Sequence, residues 1–174
     1  MDHRRSDRRL VLADGRRLQI RPIDRDDVDR LAGLFARLSP ESRYRRFLSP
    51  KPRLEPRELA HLTNLDHVDH DALAAVDGDR DSIVGVARYA RDRSRPSAAH
   101  VAFALADDLQ GLGIGTMLAR LTVQRARENG YELLIATTLW DNRPARALLR
   151  RLGFRACGSD QGVVELELSL GARS

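Results

Sequence analysis

Leu18 and Ile20 alternate with polar neighbours over residues 17–23, which predicts a half-buried strand. Acidic residues crowd positions 24–29, as they do where a helix begins, and Val28, Leu31, Phe35 and Leu38 then recur at helical spacing. Ser39-Pro40-Glu41 restarts a helix, with Ser39 as N-cap and Pro40 in its first turn. That helix carries Tyr44, Phe47 and Leu48 before Pro50 and Pro52 end it, and residues 55–65 form another short helix. Strands are predicted at 72–77 and 83–90, joined by the turn Asp77-Gly78-Asp79, and again at 99–106. A glycine-rich stretch at 110–116 opens a long helix that runs to about Asn129 and stops at Gly130. A buried strand at 132–139 and a helix at 143–152, stopped by Gly153, lead to strands at 154–157 and 163–170. The order β-α-α-α-β-β-β-α-β-α-β-β sets hairpins beside βαβ units. It predicts an α/β fold with a mixed, mostly antiparallel sheet and helices on both faces. Residues 1–15 are expected to be a short, basic, flexible N-terminus, and 16–174 a single domain.

Composition sharpens this picture. A chain of 174 residues, 42% hydrophobic and 32% charged, can bury one core and excludes collagen-like or wholly disordered classes. No apolar run approaches the ~18 residues of a membrane span, and no apolar stretch follows the basic start as in a signal peptide. A single cysteine, Cys157, excludes an internal disulfide and a multi-thiolate metal site, so the cytoplasm is the expected compartment, with no membrane partner. Of the 30 basic residues, only Lys51 is not arginine, and the net charge of +5 favours an anionic ligand. Nucleic acid is not expected, because arginine is interleaved with aspartate along the chain and clusters only at residues 4–9 and 43–46.

Chemistry concentrates at Asp107-Asp108-Leu109-Gln110-Gly111-Leu112-Gly113-Ile114-Gly115-Thr116, between a predicted strand and helix. Alternate glycines let the backbone approach a ligand, and the unpaired amides that open the helix suit phosphate. No Gly-Lys-Ser/Thr follows, so this is not a nucleotide-triphosphate loop, and Thr116 replaces the third glycine of a dinucleotide fingerprint. The alternative is a turn whose glycines serve only tight strand-to-helix packing.

Gln110-x-x-Gly113-x-Gly115 resembles the acyl-CoA pyrophosphate loop of the GNAT acetyltransferase superfamily. The run Asn142-Arg143-Pro144-Ala145-Arg146-Ala147-Leu148-Leu149-Arg150-Arg151-Leu152-Gly153-Phe154 is similar to its second signature, and the element order matches that fold. A narrower likeness, to the catalytic domain of Pat-type bacterial protein lysine acetyltransferases, lies in Arg21-Pro22-Ile23, residues 38–47 and Leu62-Thr63-Asn64-Leu65-Asp66. That group often carries a fused acyl-CoA-synthetase-like or cyclic-nucleotide-binding region. Neither is expected in a chain of this length, nor is the regulation it would bring.

The resemblance implies a GNAT-like domain that transfers acetyl from acetyl-CoA to a primary amine. The leading acceptor is a lysine of a partner protein such as an acyl-CoA synthetase. It implies that pantetheine inserts beside the backbone of Ala104, Leu105 and Ala106. The amides of Gly111, Leu112, Gly113, Ile114, Gly115 and Thr116, behind Gln110, would hold the pyrophosphate, with Asn142 near the thioester. It requires no metal. A small-amine acetyltransferase and a non-catalytic acyl-CoA sensor are the alternatives; no oligomeric state follows.

Pat-like enzymes often place a basic glutamate in the strand before the loop, and His100 stands at that position. Period-two alternation sets His100 with Ala102 and Ala104, and an imidazole of pKa ~6.5 can take a proton near neutrality. His100 is therefore either the general base or a histidine at a strand end. The tyrosine that protonates the thiolate in many relatives is replaced by Leu148-Leu149. His61 and residues 66–71 are read as a polar lip near the acceptor entrance rather than a metal site. Cys157 and Trp140 are assigned to packing. Tyr44 and Phe47 face either the acceptor channel or the core.

Overall fold

The computed structural model describes residues 8–171. Eight strands form one sheet in the order β1-β2-β3-β4-β5-β6-β8-β7. They are β1 (Arg8–Val11), β2 (Arg17–Pro22), β3 (His70–Asp77), β4 (Ser82–Arg91), β5 (Ala98–Leu105), β6 (Leu133–Leu139), β7 (Arg155–Asp160) and β8 (Val163–Ser169). Among the described residues the helices are α1 (Val28–Arg37), α2 (Pro40–Phe47), α3 (Pro56–Thr63), α4 (Ile114–Glu128) and α5 (Arg143–Arg151). All neighbouring strands pair antiparallel except β5 and β6, so the mixed, mostly antiparallel sheet forms as expected, and β5–β6 is the one parallel pair that the GNAT resemblance implies.

Local chemistry accounts for the boundaries. Ser39 accepts from the Ser42 amide at 3.1 Å and Pro40 fills the first turn of α2. Asn142 caps α5 by accepting from the Ala145 amide at 3.3 Å. Gly130 and Gly153 follow α4 and α5 in the left-handed conformation that ends a helix, at φ 85° and 96°. The β3–β4 hairpin forms as expected, with Asp77 Oδ1 accepting from the Asp79 amide at 3.1 Å.

Alternation sorts the helices to the two faces of the sheet. On β4, Gly85 lies against Leu118 of α4, while its neighbour Val86 faces Leu31 and Leu34 of α1. Two apolar cores result. One gathers β2, β3 and β4 with α1 and the first half of α4; the other gathers β5, β6 and β8 with Leu149 and Phe154, and Phe103 packs on both.

Four expectations need correction. The flexible start was drawn too long, because Arg8–Val11 pair with residues 17–20 as β1; residues 1–7 lie outside the described residues. The strand expected at 154–157 runs over Arg155–Asp160 and is exposed along its length. Cys157 lies on that exposed edge and not in a core. Trp140 is 58% exposed, with the Arg146 guanidinium 4.0 Å above its ring.

Candidate active site

β5 and β6 pair in register from Ala98↔Leu133 to Val101↔Ala136 and no further, although β5 continues to Leu105 and β6 to Leu139. The far side of β5 is held by β4 and that of β6 by β8. The two strands therefore diverge with their facing backbone edges unpaired, like the arms of a V with its apex at Val101 and Ala136. A cleft of ≈ 580 Å³ occupies the opening. Its walls include Val101–Leu105, Ala136–Thr138, the glycine-rich loop and Asn142, with Ser42, Arg45 and Arg46 of α2 along one side.

The loop closes one end. Gly111 and Gly113 have φ of 81° and 83°, and Gly113 stands at the N-cap of α4 with no side chain capping the helix. A Cβ added at either glycine would meet no atom within 4 Å. Tight packing is thus not what demands glycine there. The left-handed backbone and open space in front of it are what a ligand's phosphates would use. Gln110 ties the loop to β5, its Nε2 donating to Leu105 O at 3.4 Å and Asp107 Oδ1 at 3.2 Å. Asp107 also accepts from the Ser39 amide at 2.8 Å and from the Ser42 hydroxyl, joining the loop to α2. Burial opposes ionisation of Asp107, yet the bonds from Ser42 and Ser39 prevail and hold its carboxyl below the usual range.

Of the sequence-selected residues, Ala104, Leu105, Gln110, Gly111, Gly113, Gly115, Thr116 and Asn142 come together on the cleft. Ala106 does not, because its amide is already spent on Val84 O at 2.8 Å as β5 leaves the sheet. The side chain of Leu112 is exposed and that of Ile114 buried, so each can offer only backbone.

His100 is not part of the cleft wall. It lies one residue below the apex, opposite Ile135 on β6, and is 49% exposed. Its Nε2 is 2.7 Å from Asp92 Oδ2. Asp92 is itself fixed at the end of β4, its Oδ1 accepting from the amides of Ser94 at 2.7 Å and Arg95 at 2.8 Å. The hydrogen bond from His100, followed by those two amides, keeps the Asp92 carboxyl below its ordinary pKa.

The histidine- and aspartate-rich segment is not a lip. Asp66 Oδ1 accepts from the amides of Val68, Asp69 and His70, each at 2.9 Å, which shapes the turn. Asp71 is 1% exposed and receives His67 Nδ1 at 2.7 Å and Arg125 Nε from α4. Burial works against ionisation of Asp71, but its bonds from His67 and Arg125 hold the carboxyl low. Tyr44 is exposed, and Phe47 packs edge-on against Phe35 with centroids 5.7 Å apart. Arg45, Arg46 and Arg151 line the cleft without having been selected; the basic run 43–46 was the trace of the first two, and Arg151 lay inside the Asn142–Phe154 run.

A mixed sheet opened at one parallel pair, with a glycine-rich helix start at the mouth of the opening, defines a class, and residues 17–155 match the model of the acetyltransferase (GNAT) domain family. The chain belongs to the GNAT acetyltransferase family. It is 35% identical over 146 residues to acetyltransferase PA5475 of Pseudomonas aeruginosa, covering 82% of this chain and 77% of that protein. It is 32% identical over 151 residues to acetyltransferase Pat of Mycolicibacterium smegmatis, covering 87% of this chain but only 45% of Pat. The GNAT domain of S. lividans PAT superposes with a TM-score of 0.86 at 32% identity, over 94% of this chain and 97% of that one. No helix among the described residues is long and apolar enough to cross a membrane.

Proposed function

We propose that this acetyltransferase domain transfers acetyl from acetyl-CoA to a primary amine, with a protein lysine as acceptor. The observation that carries the reading is the opening of β5 from β6 at Val101 and Ala136, directly in front of the Gly111–Gly113 backbone. In this reading the pyrophosphate rests on the loop amides from Gly111 to Thr116. The pantetheine lies along the free edge of β5 at Ala104 and Leu105. The reaction is a direct displacement: the amine nitrogen bonds to the thioester carbonyl carbon, the C–S bond breaks, and coenzyme A leaves as thiolate. Proximity in the V supplies much of the advantage.

A lysine amine, of pKa ~10.4, arrives largely as ammonium and must lose a proton. His100 takes that proton through one water, oriented by Asp92. The aspartate engages Nε2 and leaves Nδ1 as the basic nitrogen. The choice of a protein acceptor such as an acyl-CoA synthetase rests on the Pat-type likeness of residues 21–23, 38–47 and 62–66, alongside the 32% identity to acetyltransferase Pat.

Labelled acetyl transfer to a purified acyl-CoA synthetase tests the reading, with modified lysines mapped by mass spectrometry. His100→Ala should lower kcat by roughly 10²-fold or more, the ordinary worth of a general base. Asp92→Ala should fall between parent and His100→Ala. Unchanged kcat in His100→Ala across pH 6 to 9 refutes the base. Failure to bind acetyl-CoA refutes the function.

A further inference from the structure

Beneath α1 and α2 a second, smaller cavity of ≈ 30 Å³ adjoins the cleft, and Leu38, Arg46, Val86 and Ala104 line both. Its lining is apolar except for two guanidinium groups, Arg46 and Arg88. Arg88 sits on β4 directly across from Ala102, one residue beyond the V apex, and is only 6% exposed. Its hydrogen bonds are long and neutral: Nη1 and Nη2 reach Leu62 O at 3.4 Å, and Nη1 meets His70 Nε2 at 3.3 Å. Arginine has no acceptor, so His70 Nε2 must be unprotonated there. Arg46 lies over the Phe47 ring at 4.7 Å. Among the described residues no carboxylate pairs with either cation. Burial pushes Arg46 down to about 10, and burial together with the charge of Arg46 pushes Arg88 down to about 9.

A buried cation, Arg88, facing a half-buried one, Arg46, without a counter-ion is costly for a fold of marginal stability. Two of the best-buried carboxylates, by contrast, are each met by arginine: Asp27 by Arg21 and Arg30, and Asp71 by Arg125. Planar guanidinium forks suit a carboxylate, which accepts from two of them at once. The cavity has room for about two water-sized groups, which matches the two oxygens of a carboxylate.

We infer that Arg46 and Arg88 bind a carboxylate carried by a substrate next to the reacting thioester. It is either the distal carboxylate of a dicarboxylic acyl-CoA or the α-carboxylate of an amino-acid acceptor. The inference rests on the acyl-transfer reading and adds to it the charge of the transferred or receiving group. With a dicarboxylic donor the displacement is unchanged; the transferred acyl group simply keeps its distal charge.

Two arms of one experiment separate the sources. In the first, titration calorimetry compares succinyl-CoA with acetyl-CoA, and a Kd at least tenfold lower for succinyl-CoA assigns the carboxylate to the donor. In the second, acetyl transfer to free amino acids is compared with transfer to their α-amides. A tenfold higher kcat/KM for the acids assigns it to the acceptor. Arg88→Met should return the successful ratio to near one. Because this substitution removes an unpaired buried cation, its Tm should equal or exceed the parent's; Arg46→Met provides an independent second variant. A preference that survives both substitutions overturns the inference, as does the absence of preference in both arms while acetyl-CoA binds normally. If neither acyl-CoA binds, the acyl-transfer reading falls with it.

Discussion

Replacing His70 by glutamine should make the folded protein markedly less sensitive to mild acid. His70 is pushed down to about 4, first by burial and then by the charges of Arg88 and His61, which outweigh the opposite pull of Asp66 and Asp71. In the unfolded chain it returns to about 6.5. The folded pKa is the lower one, so both states are neutral above pH 6.5 and stability is then independent of this group. As pH falls below 6.5, the unfolded state takes up a proton that the folded state refuses, and stability is lost until about pH 4. Linkage over this window gives about 2 kcal/mol between pH 7 and 5, reduced to about 1 where solvent screens a half-buried ring. The depressed carboxyls Asp27, Asp66 and Asp71 do not intrude, because their contributions fade only below the ordinary carboxylate range near 3.8. The glutamine carbonyl keeps an acceptor for Arg88 and cannot titrate. Thermal melts at pH 7 and 5 should therefore show the parent losing roughly 2–8 °C more than His70→Gln, at about 2–4 °C per kcal/mol for a chain of this size. Parallel losses in the two proteins would show that the ring is solvated and that Arg88 is not bonded to it.

Two further outcomes follow from other parts of the molecule. Gly113→Asp should weaken acetyl-CoA binding at least tenfold by calorimetry, since it sets a carboxylate before the phosphate-facing amides at a φ of 83°. Asp71→Ala, which leaves Arg125 buried without its carboxylate, should cost about 3–5 kcal/mol in urea unfolding at pH 7. A loss under 1 kcal/mol would mean that water reaches that pair.

Periodicity carried the regular elements, because each is written in its own residues: the alternation of β8, the capped start of α2, the glycine stops after α4 and α5. The glycine-rich loop was legible for the same reason, since alternate glycines at a helix start are a local statement. Strand β1 was not. Arg8-Arg9-Leu10-Val11 has no alternation worth reading, and it becomes a strand only because β2 offers an edge. Ala106 was misjudged because a strand's last amide can turn to either neighbour, and here it turns to Val84. The partnerships that matter most for chemistry are tertiary: Asp92 with His100, Asp107 with Ser39 and Ser42, Arg88 beside the cavity. Their positions depend on sheet register: even Asp92 and His100, eight residues apart, meet only because β4 and β5 pair as they do, and Asp107 lies more than sixty residues from Ser39 and Ser42. Cys157 and Trp140 were misplaced for a related reason, since side-chain type alone does not say which edge of the sheet is left bare.

The break in pairing between β5 and β6 has a mechanical meaning as well as a chemical one. The apolar packing does not divide at the break: one cluster takes in Tyr89 of β4, Ala99 and Val101 of β5 and Ala126 of α4 together with Leu134 and Ala136 of β6, and this cluster and the short parallel ladder ending at Val101 hold the two halves of the sheet together. Beyond Val101 and Ala136 no ladder joins the two strands, so the cleft end of the sheet is the part that can loosen with limited cost to the rest. An acyl-CoA seated in the V would span that gap and act as the missing rungs of the ladder. At 100 times its Kd it would add about 2.7 kcal/mol to the folded state. The donor substrate is then a structural member, and the rigidity of the domain follows the supply of acyl-CoA around it.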